Sequence, residues 1–307
     1  MDNLSFLHRA CPNCGLESNS TEVESARRAE RMSLDDLRPF WSGLFKEKVF
    51  FSYSRCAGCG LLFAPEFFTD PQLQDLYSDM APNMEALSPD AIEATQLGYF
   101  QAAAASGPLD ANYLEIGPDI GYIARHAARE GRFDHFYFFE PNIAVHPDLA
   151  ASVEGRAFTI SEDMNSLSAV PDDSVGLAVI IHVLDHILDP VHMLGEVRSK
   201  LKRGGRLVIV THNEKSLLRH FMGKQWPPFC LQHPELYNPQ SISTVLGKAG
   251  FVNIDCQRSK NYFPIDFMAR QAAYRFGVNL RRLPMPKAVI GLRLGNMLTI
   301  AERAAVS

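Results

Sequence analysis

Four cysteines stand in two Cys-x-x-Cys pairs, and a glycine follows each pair. The first pair is Cys11 and Cys14, and the second is Cys56 and Cys59. Each pair places two thiolates on one tight turn, and two such turns supply the four soft ligands that Zn²⁺ prefers. The pattern therefore predicts a structural zinc site whose four tetrahedral positions are all filled by the protein, so that none is left for water or substrate.

The length of the chain, 307 residues, suits two modest domains. We expect a zinc-binding module with a linker over residues 1–80. A larger domain over residues 81–307 should follow, with an insertion around residues 212–240. Apolar residues make up 46% of the chain and charged residues 21%, which is ordinary globular composition. Four paired cysteines indicate metal chemistry in a reducing compartment, and Cys230 and Cys256 are expected to be ordinary thiols.

Neither charge nor hydropathy indicates a nucleic acid or a membrane as partner. The formal net charge of −5 offers no basic surface of the kind that nucleic-acid binders use. The most apolar run, residues 175–188, is interrupted by His182, Asp185 and His186 and is too short and too polar to span a bilayer. The first residues also lack the pattern of a secretory signal, so we expect a cytoplasmic protein.

From about residue 110, apolar strand-like segments alternate with helical ones. Such alternation predicts an α/β fold, a doubly wound, mostly parallel, seven-stranded Rossmann-like sheet with the small zinc module attached. Ligands of such sheets bind at the carboxyl ends of the strands. The predicted strands are 112–116, 133–139, 156–161, 174–182, 206–211 and 294–301, and the predicted helices include 120–130 and 190–202.

Two acids mark the ends of the first two strands of this sheet. Glu115 lies at the first, before a turn that contains Gly117 and Gly121, and Glu140 lies at the second. A carboxylate in the second position can accept hydrogen bonds from both hydroxyls of a ribose. A dinucleotide site would need Gly-x-Gly-x-x-Gly for its pyrophosphate, whereas here Asp119 occupies the turn and would repel a phosphate. A cofactor with a sulfonium or ammonium group is favoured over NAD.

The segment Leu-Glu-Ile-Gly-Pro-Asp-Ile-Gly at 114–121 resembles the first motif of class I S-adenosylmethionine-dependent methyltransferases. Residues 170–175 and 181–190 resemble the fourth-strand region of that family, and residues 201–207 and 246–251 resemble its later turns. Residues 11–77 resemble the zinc-binding segment that one subgroup carries. Two positions depart from the pattern, because the family usually has glycine at Asp119 and often an acid at Gly176.

The resemblance implies a set of cofactor contacts. Gly117 and Gly121 would approach the methionine and ribose portions, and Glu115 and Asp119 would face the amino group. Glu140, followed by Pro141, would bind the ribose hydroxyls. The remaining implied contacts are Asp163 and Met164 over the adenine, and His182 beside the transferring methyl group.

Methyl transfer requires alignment of the reactants and often a base, and histidine suits that role near neutral pH. His186 lies just past the fourth strand, and His233 lies in an aromatic and proline-rich insertion that would act as a lid. A metal site among these histidines is not expected, since no carboxylate accompanies them at a matching spacing. The aromatic and basic stretch 262–286 would wall the substrate pocket, form a dimer face or be a solvated helix.

The sequence therefore predicts an enzyme of biosynthesis that methylates a small polar acceptor. The acceptor would be a hydroxyl, amine or carbon of a sugar, nucleotide-sugar or natural product. The protein would be a monomer or homodimer. The alternative is a catalytically degenerate relative that serves as a binding or scaffold protein and docks a partner through its zinc module.

Overall fold

The cysteine turns lie among short strands in the N-terminal part of the chain. The computed structural model describes residues 6–17, 20–41, 48–78, 88–164, 166–266, 268–269 and 288–305. Two helices, α1 (Leu34–Leu37) and α2 (Asp70–Ser78), accompany the strands. The strands are β1 (Leu7–His8), β2 (Thr21–Val23), β3 (Arg27–Arg28), β4 (Val49–Phe50), β5 (Tyr53–Arg55), β6 (Leu62–Phe63) and β7 (Glu66–Phe67).

Strands and helices alternate through the rest of the chain. The helices are α3 (Pro89–Ala105), α4 (Tyr122–Glu130), α5 (His146–Ser152), α6 (Pro190–Lys200), α7 (Leu217–Met222) and α8 (Pro239–Lys248). The strands are β8 (Asp110–Ile116), β9 (Arg132–Phe139), β10 (Phe158–Ser161), β11 (Val175–Ile181), β12 (Leu201–His212), β13 (Glu235–Leu236), β14 (Phe251–Arg258), β15 (Asn261–Pro264), β16 (Val289–Leu292) and β17 (Asn296–Arg303). No described helix has the length and apolar character needed to cross a membrane.

Seven strands form the main sheet in the order β10-β9-β8-β11-β12-β17-β14. The first five are parallel, and β17 runs antiparallel to both β12 and β14. This arrangement confirms the predicted α/β fold. Strand order reverses between β8 and β11, so the crevice at their carboxyl ends is where a ligand of such a sheet binds.

Several predicted boundaries were wrong, and strand pairing explains each difference. Helix α6 ends at Lys200 instead of residue 202, because Leu201 already pairs with Val175 of β11. The third strand begins only at Phe158, where pairing with Phe136 begins. The last strand covers residues 296–303, two residues later than expected. Of the tail predicted over 262–286, most residues lie outside those that the structure describes.

The described part of the charged stretch 21–48 contains two short strands and the four-residue α1. Residues 49–55 are divided into β4 and β5, since β4 pairs with β3 and β5 pairs with β2.

The insertion after β12 packs against the N-terminal module. Its strand β13 is antiparallel to β6 and completes a four-stranded sheet in the order β13-β6-β5-β2. Trp226 and Phe229 of the insertion are buried in one apolar cluster with Phe50 and Tyr53 of the module. The insertion that was predicted to act as a lid is therefore packed against the module and joins it to the domain.

Candidate functional site

The two cysteine pairs come together as one cluster. The four sulfur atoms lie within 4.8 Å of one another, with Sγ–Sγ distances of 3.5 Å between Cys11 and Cys59 and 3.2 Å between Cys14 and Cys56. Thiolates bound to one tetrahedral zinc lie roughly 3.8 Å apart, given Zn–S bonds of about 2.3 Å. The donor set and its spacing therefore fit a structural zinc ion.

Both cysteine turns share the same backbone design. Gly15 donates its N–H to the carbonyl of Cys11, and Gly60 donates to that of Cys56, at 2.7 and 2.9 Å. Both glycines have positive φ angles, +78° and +73°, a conformation that costs other residues free energy. These glycines let each turn close tightly around its two sulfur atoms.

A glycine turn connects β8 to α4 at the strand-order switch. Gly117 and Gly121 have φ angles of +67° and +76°. A Cβ atom on Gly117 would lie 2.4 Å from Val183 Cγ2, and one on Gly121 would lie 2.3 Å from Ser152 Oγ. Both the backbone and the packing therefore require glycine. The contact with Val183 also places this turn directly against the carboxyl end of β11.

Glu140 connects this turn with the loop after β9. Its carboxylate accepts hydrogen bonds from the backbone N–H of Asp119 at 3.0 Å and of Asn142 at 2.9 Å. Pro141 lies between these contacts on the exposed side of the loop. Glu140 thus lies where a ribose-binding acid was predicted, and it also holds the two loops together.

Three acids of this region carry raised pKa values. Burial raises the pKa of Glu115 to about 8, helped by the nearby Glu140, while a hydrogen bond from the hydroxyl of Tyr113 at 2.7 Å opposes the rise. Burial also raises the pKa values of Asp119 and Glu140. Carboxyl groups that share a site resist simultaneous ionisation, so a cationic ligand would be bound favourably here.

The remaining predicted cofactor residues are Asp163, Met164 and His182. Asp163 is exposed just after β10, and Met164 is half-buried against the main core. His182 follows the last residue of β11 with a φ of +53°, a strained conformation for a residue with a side chain. Asp119 shares that conformation at +52°, which explains why glycine is usual at its position.

Four histidines lie together at the carboxyl ends of β11 and β12. The ring centroids of His182 and His212 are 4.6 Å apart, those of His212 and His233 are 5.2 Å apart, and those of His186 and His233 are 4.7 Å apart. The insertion carries His233 into this group. The structure therefore brings both predicted bases, His186 and His233, to one place beside the glycine turn.

Hydrogen bonds fix the orientation of both candidate bases. His233 Nδ1 lies 2.8 Å from the carbonyl of Pro228, to which it donates, and 3.3 Å from Cys230 Sγ. This leaves Nε2 of His233 as the nitrogen that can accept a proton. His186 Nδ1 lies 3.1 Å from the hydroxyl of Tyr77.

The four imidazoles have different pKa values because of burial and of their charged neighbours. Burial lowers the pKa of His182 to about 4 and lowers those of His186 and His212 well below their usual range. Burial also opposes a charge on His233, but the neighbouring Cys230 sulfur outweighs it and, with Asp185, raises the pKa of His233 to about 9. A proton added to this group therefore resides on His233.

Sequence reasoning missed three members of this group. Asp185 is fully buried and accepts a hydrogen bond from the backbone N–H of His212 at 3.1 Å. Asn296 of β17 contacts both His182 and His212, and Cys230 lies beside His233. Asp185 lies in the apolar run 175–188. An acid inside so apolar a run was the sequence signal that could have indicated a buried functional carboxylate. The histidines do have a carboxylate partner, contrary to the prediction.

The second departure from the family pattern has a steric explanation. A Cβ atom on Gly176 would lie 2.2 Å from the carbonyl oxygen of Asp110. The register of β11 shifts between Val175 and Leu177, so the backbone of Gly176 approaches β8 closely. No side chain fits there without movement of the strands.

Comparisons with known proteins agree with this geometry. Residues 91–255 match a family model described as a methyltransferase domain. No curated protein matches the chain. A chain of the complex between the Haloferax volcanii Trm112 methyltransferase activator and a candidate methyltransferase is 16% identical, with a TM-score of 0.52, over 70% of this chain and 93% of that chain.

Two further solved structures have lower TM-scores. An S-adenosylmethionine-dependent methyltransferase from Thermotoga maritima is 16% identical over 69% of this chain and 91% of that chain, with a TM-score of 0.46. One from Mesorhizobium loti is 16% identical over 67% and 98%, with a TM-score of 0.47. The family match covers more than half of the 307 residues. The chain therefore belongs to the methyltransferase domain family, and it is a methyltransferase.

Proposed function

We propose that this methyltransferase transfers a methyl group from S-adenosylmethionine to a small polar acceptor bound at the carboxyl ends of β11 and β12. The acceptor would be a hydroxyl, amine or carbon of a sugar, nucleotide-sugar or natural product. The observation that carries this proposal is the group of four histidines directly beside the glycine turn. Several imidazoles next to a cofactor turn suit an acceptor from which a proton must be removed.

The cofactor side of the proposal rests on the glycine turn and its acids. S-adenosylmethionine supplies the methyl group on a positively charged sulfur. Glu140 would accept hydrogen bonds from the ribose hydroxyls, and Glu115 and Asp119 would favour the cationic amino end. We assign Gly117, Gly121, Pro141, Asp163, Met164 and His182 as further contacts. The raised pKa values of the three acids support this, because a cation would stabilise the ionised form of carboxyl groups whose burial opposes their charge.

His233 is our first candidate for the general base. Its Nδ1–H is held by the carbonyl of Pro228, so Nε2 would take the proton from the acceptor in those molecules whose His233 is neutral, a fraction that grows as the pH approaches 9. Trp226, Phe229 and Tyr237 of the same insertion are buried and would exclude water. His186 is the second candidate, and its contact with the hydroxyl of Tyr77 would fix its ring.

The cysteine cluster would bind one structural zinc ion. All four ligand positions come from thiolates, so the metal would hold the turns and take no part in methyl transfer. We divide the chain into a zinc-binding module over 1–80 and a catalytic domain over 81–307. The insertion around 212–240 then belongs to both, because β13 completes the sheet of the module.

The alternative function is that of a catalytically inactive binding protein. The strained backbone of Asp119 in the cofactor turn favours it, because a residue with a side chain has replaced the usual glycine. The Haloferax volcanii protein of similar fold is seen with an activator, and in this alternative the zinc module of the present chain would dock a protein partner. Absence of S-adenosylmethionine binding would favour this alternative.

Methyl-labelled S-adenosylmethionine tests the proposed reaction. The protein is incubated with the labelled cofactor and separate pools of sugars, nucleotide-sugars and natural-product extracts, and label is followed into small molecules. We expect transfer in one pool. His233→Ala should bind the cofactor normally but lose roughly 10²–10⁴ in turnover, as expected for removal of a general base. The exposed His220→Ala is the matched control, and full activity of both His233→Ala and His186→Ala would contradict a histidine base.

A further inference from the structure

A second group of metal-ligating side chains lies at the carboxyl ends of β11 and β12. One nitrogen of His182, one nitrogen of His212 and one carboxylate oxygen of Asp185 lie within 4.8 Å of one another. Two imidazoles and one carboxylate are the donor set of several catalytic zinc and divalent iron sites. Such a set leaves coordination positions open for a substrate, which the four-cysteine cluster cannot do.

The fold brings these residues together from neighbouring strands. His182 directly follows β11, and His212 is the last residue of β12, to which β11 is paired in parallel. The backbone N–H of His182 donates to the carbonyl of Val210 at 2.8 Å, so the two strand ends remain in register. Asp185 lies in the short 3-10 turn Leu184–His186 beneath them.

Two atoms of the group have no hydrogen-bond partner within the part of the chain that the structure describes. The side chain of Asp185 is fully buried, and its Oδ2 accepts from the N–H of His212, while its Oδ1 is unpaired. Nδ1 of His182 is unpaired as well. Burying an unpaired carboxylate oxygen is costly, so this arrangement calls for a ligand between the two atoms.

Asn296 holds the two rings from the other side. Its side-chain amide lies 3.2 Å from His182 Nε2 and 3.1 Å from His212 Nδ1. The opposite nitrogens, Nδ1 of His182 and Nε2 of His212, are thereby left for a ligand. Metal-binding histidines commonly have their second nitrogen held by a hydrogen-bonding group of this kind.

We propose that His182, Asp185 and His212 bind one divalent transition-metal ion, for which Zn²⁺ is the simplest choice. Ligand atoms around one tetrahedral zinc are roughly 3.3 Å apart, so binding requires these side chains to approach one another by no more than about 1.5 Å. Because the ligands must be deprotonated, uptake of the metal releases protons.

The role of this metal rests on the function proposed above and narrows its acceptor to a hydroxyl compound. The hydroxyl oxygen binds the open position of the metal, which lowers its pKa. Nε2 of His233 takes the hydroxyl proton. The oxygen then forms its bond to the methyl carbon as the bond from that carbon to the cofactor sulfur breaks, and the sulfur keeps the electron pair and becomes neutral.

The absorption spectrum of bound Co²⁺ distinguishes this site from the cysteine cluster. Full-length protein whose cysteine cluster retains zinc is titrated with Co²⁺, and visible absorption is recorded. We expect one equivalent to bind with nitrogen and oxygen ligands, without the intense near-ultraviolet absorption of cobalt thiolates. A wild-type protein that takes up no Co²⁺, or only Co²⁺ with thiolate absorption, overturns the proposal.

Variants locate the ion. His212→Ala and Asp185→Asn should each weaken Co²⁺ binding at least tenfold, a loss that even a supporting residue of a metal site typically produces. The exposed His220→Ala is the matched control and should bind as the wild type does. Zinc content and thermal unfolding verify the fold. If both variants fail to fold, His182→Gln replaces them.

The outcomes also show whether the metal site or the proposed methyl transfer is wrong. Unchanged Co²⁺ affinity in the folded variants removes the metal site but leaves cofactor binding and methyl transfer standing. Co²⁺ binding at these residues in a protein that does not bind S-adenosylmethionine supports the metal site and overturns the proposed function.

Discussion

Glu140 has two functions in the cofactor region at the scale of single residues. Its carboxylate accepts N–H groups from the loops on both sides of the site, and it lies where a ribose would be recognised. A carboxylate has about four acceptor positions, so two protein hydrogen bonds leave room for ligand hydroxyls. The same residue therefore shapes the site and can bind in it.

Replacing Glu140 tests its binding role. Glu140→Ala should weaken S-adenosylmethionine binding roughly ten- to hundredfold, because hydrogen bonds to a charged group contribute about 1.5–3 kcal/mol. Isothermal titration calorimetry measures the affinity, and thermal unfolding checks the fold. The exposed Glu154→Ala is the control and should bind normally. An unchanged affinity in Glu140→Ala would place the cofactor elsewhere.

Glu115 should make the stability of the cofactor-free protein depend on pH. Burial raises its pKa from 4.5 to about 8, so between these values the folded protein binds more protons than the unfolded chain. Its contribution to the free energy of unfolding is therefore fully present below pH 4.5 and falls as the pH rises through 8, by at most about 1.4 kcal/mol per pH unit.

Glu115→Gln removes this titration and can still accept the hydrogen bond from Tyr113. We expect the free energy of unfolding of the variant to increase relative to that of the wild type as the pH rises from 5 towards 8. Urea unfolding at several pH values measures the difference. A constant difference over this range would show that Glu115 ionises normally.

Strand β11 illustrates how close packing at the scale of elements restricts sequence. Its neighbour β8 approaches so closely at Gly176 that the carbonyl of Asp110 occupies the place of a side chain. Gly176→Ala should lower the free energy of unfolding by about 1–3 kcal/mol, the usual cost of overpacking.

Gly195 provides the matched control for this change. It lies inside α6, where an added Cβ would meet no atom within 4 Å. Gly195→Ala should be neutral or stabilise the protein by roughly 0.5–1 kcal/mol, because alanine favours helix. Chemical denaturation compares the two variants, and equal effects would contradict the steric explanation.

Local patterns predicted the elements better than the site. Alternating apolar segments and the glycine turn at 117–121 were sufficient for the sheet, because strand period and turn chemistry are local properties. The meeting of Asp185 with His212 depends on the pairing of β11 with β12, and Asn296 arrives on an antiparallel strand from the end of the chain. No local pattern encodes such juxtapositions.

The whole molecule is held together by contacts between the cysteine turns and the start of α8. Asn13 Nδ2 donates to the carbonyl of Ser241 at 3.0 Å, and Asn238 Nδ2 donates to that of Gly60 at 2.9 Å. Arg9 and Glu235 form a buried ion pair between module and insertion. The module is thus part of the structure that positions His233.

Loss of the proposed structural zinc should consequently affect both parts. Cys56→Ser should lower the zinc content and the melting temperature, because metal binding and folding are coupled in such sites. It should reduce methyl transfer more than S-adenosylmethionine binding, since His233 depends on the module and Glu140 does not. Cys256→Ser, a half-buried thiol outside the cluster, is the control. Wild-type protein purified without chelator and free of zinc would contradict this.

Calorimetric titration of the wild-type protein tests the central claim most directly. Our account predicts that one S-adenosylmethionine binds per chain, and that NAD does not bind, because Asp119 occupies the turn that would hold its pyrophosphate. Binding of NAD without binding of S-adenosylmethionine, or binding of neither, would contradict the account.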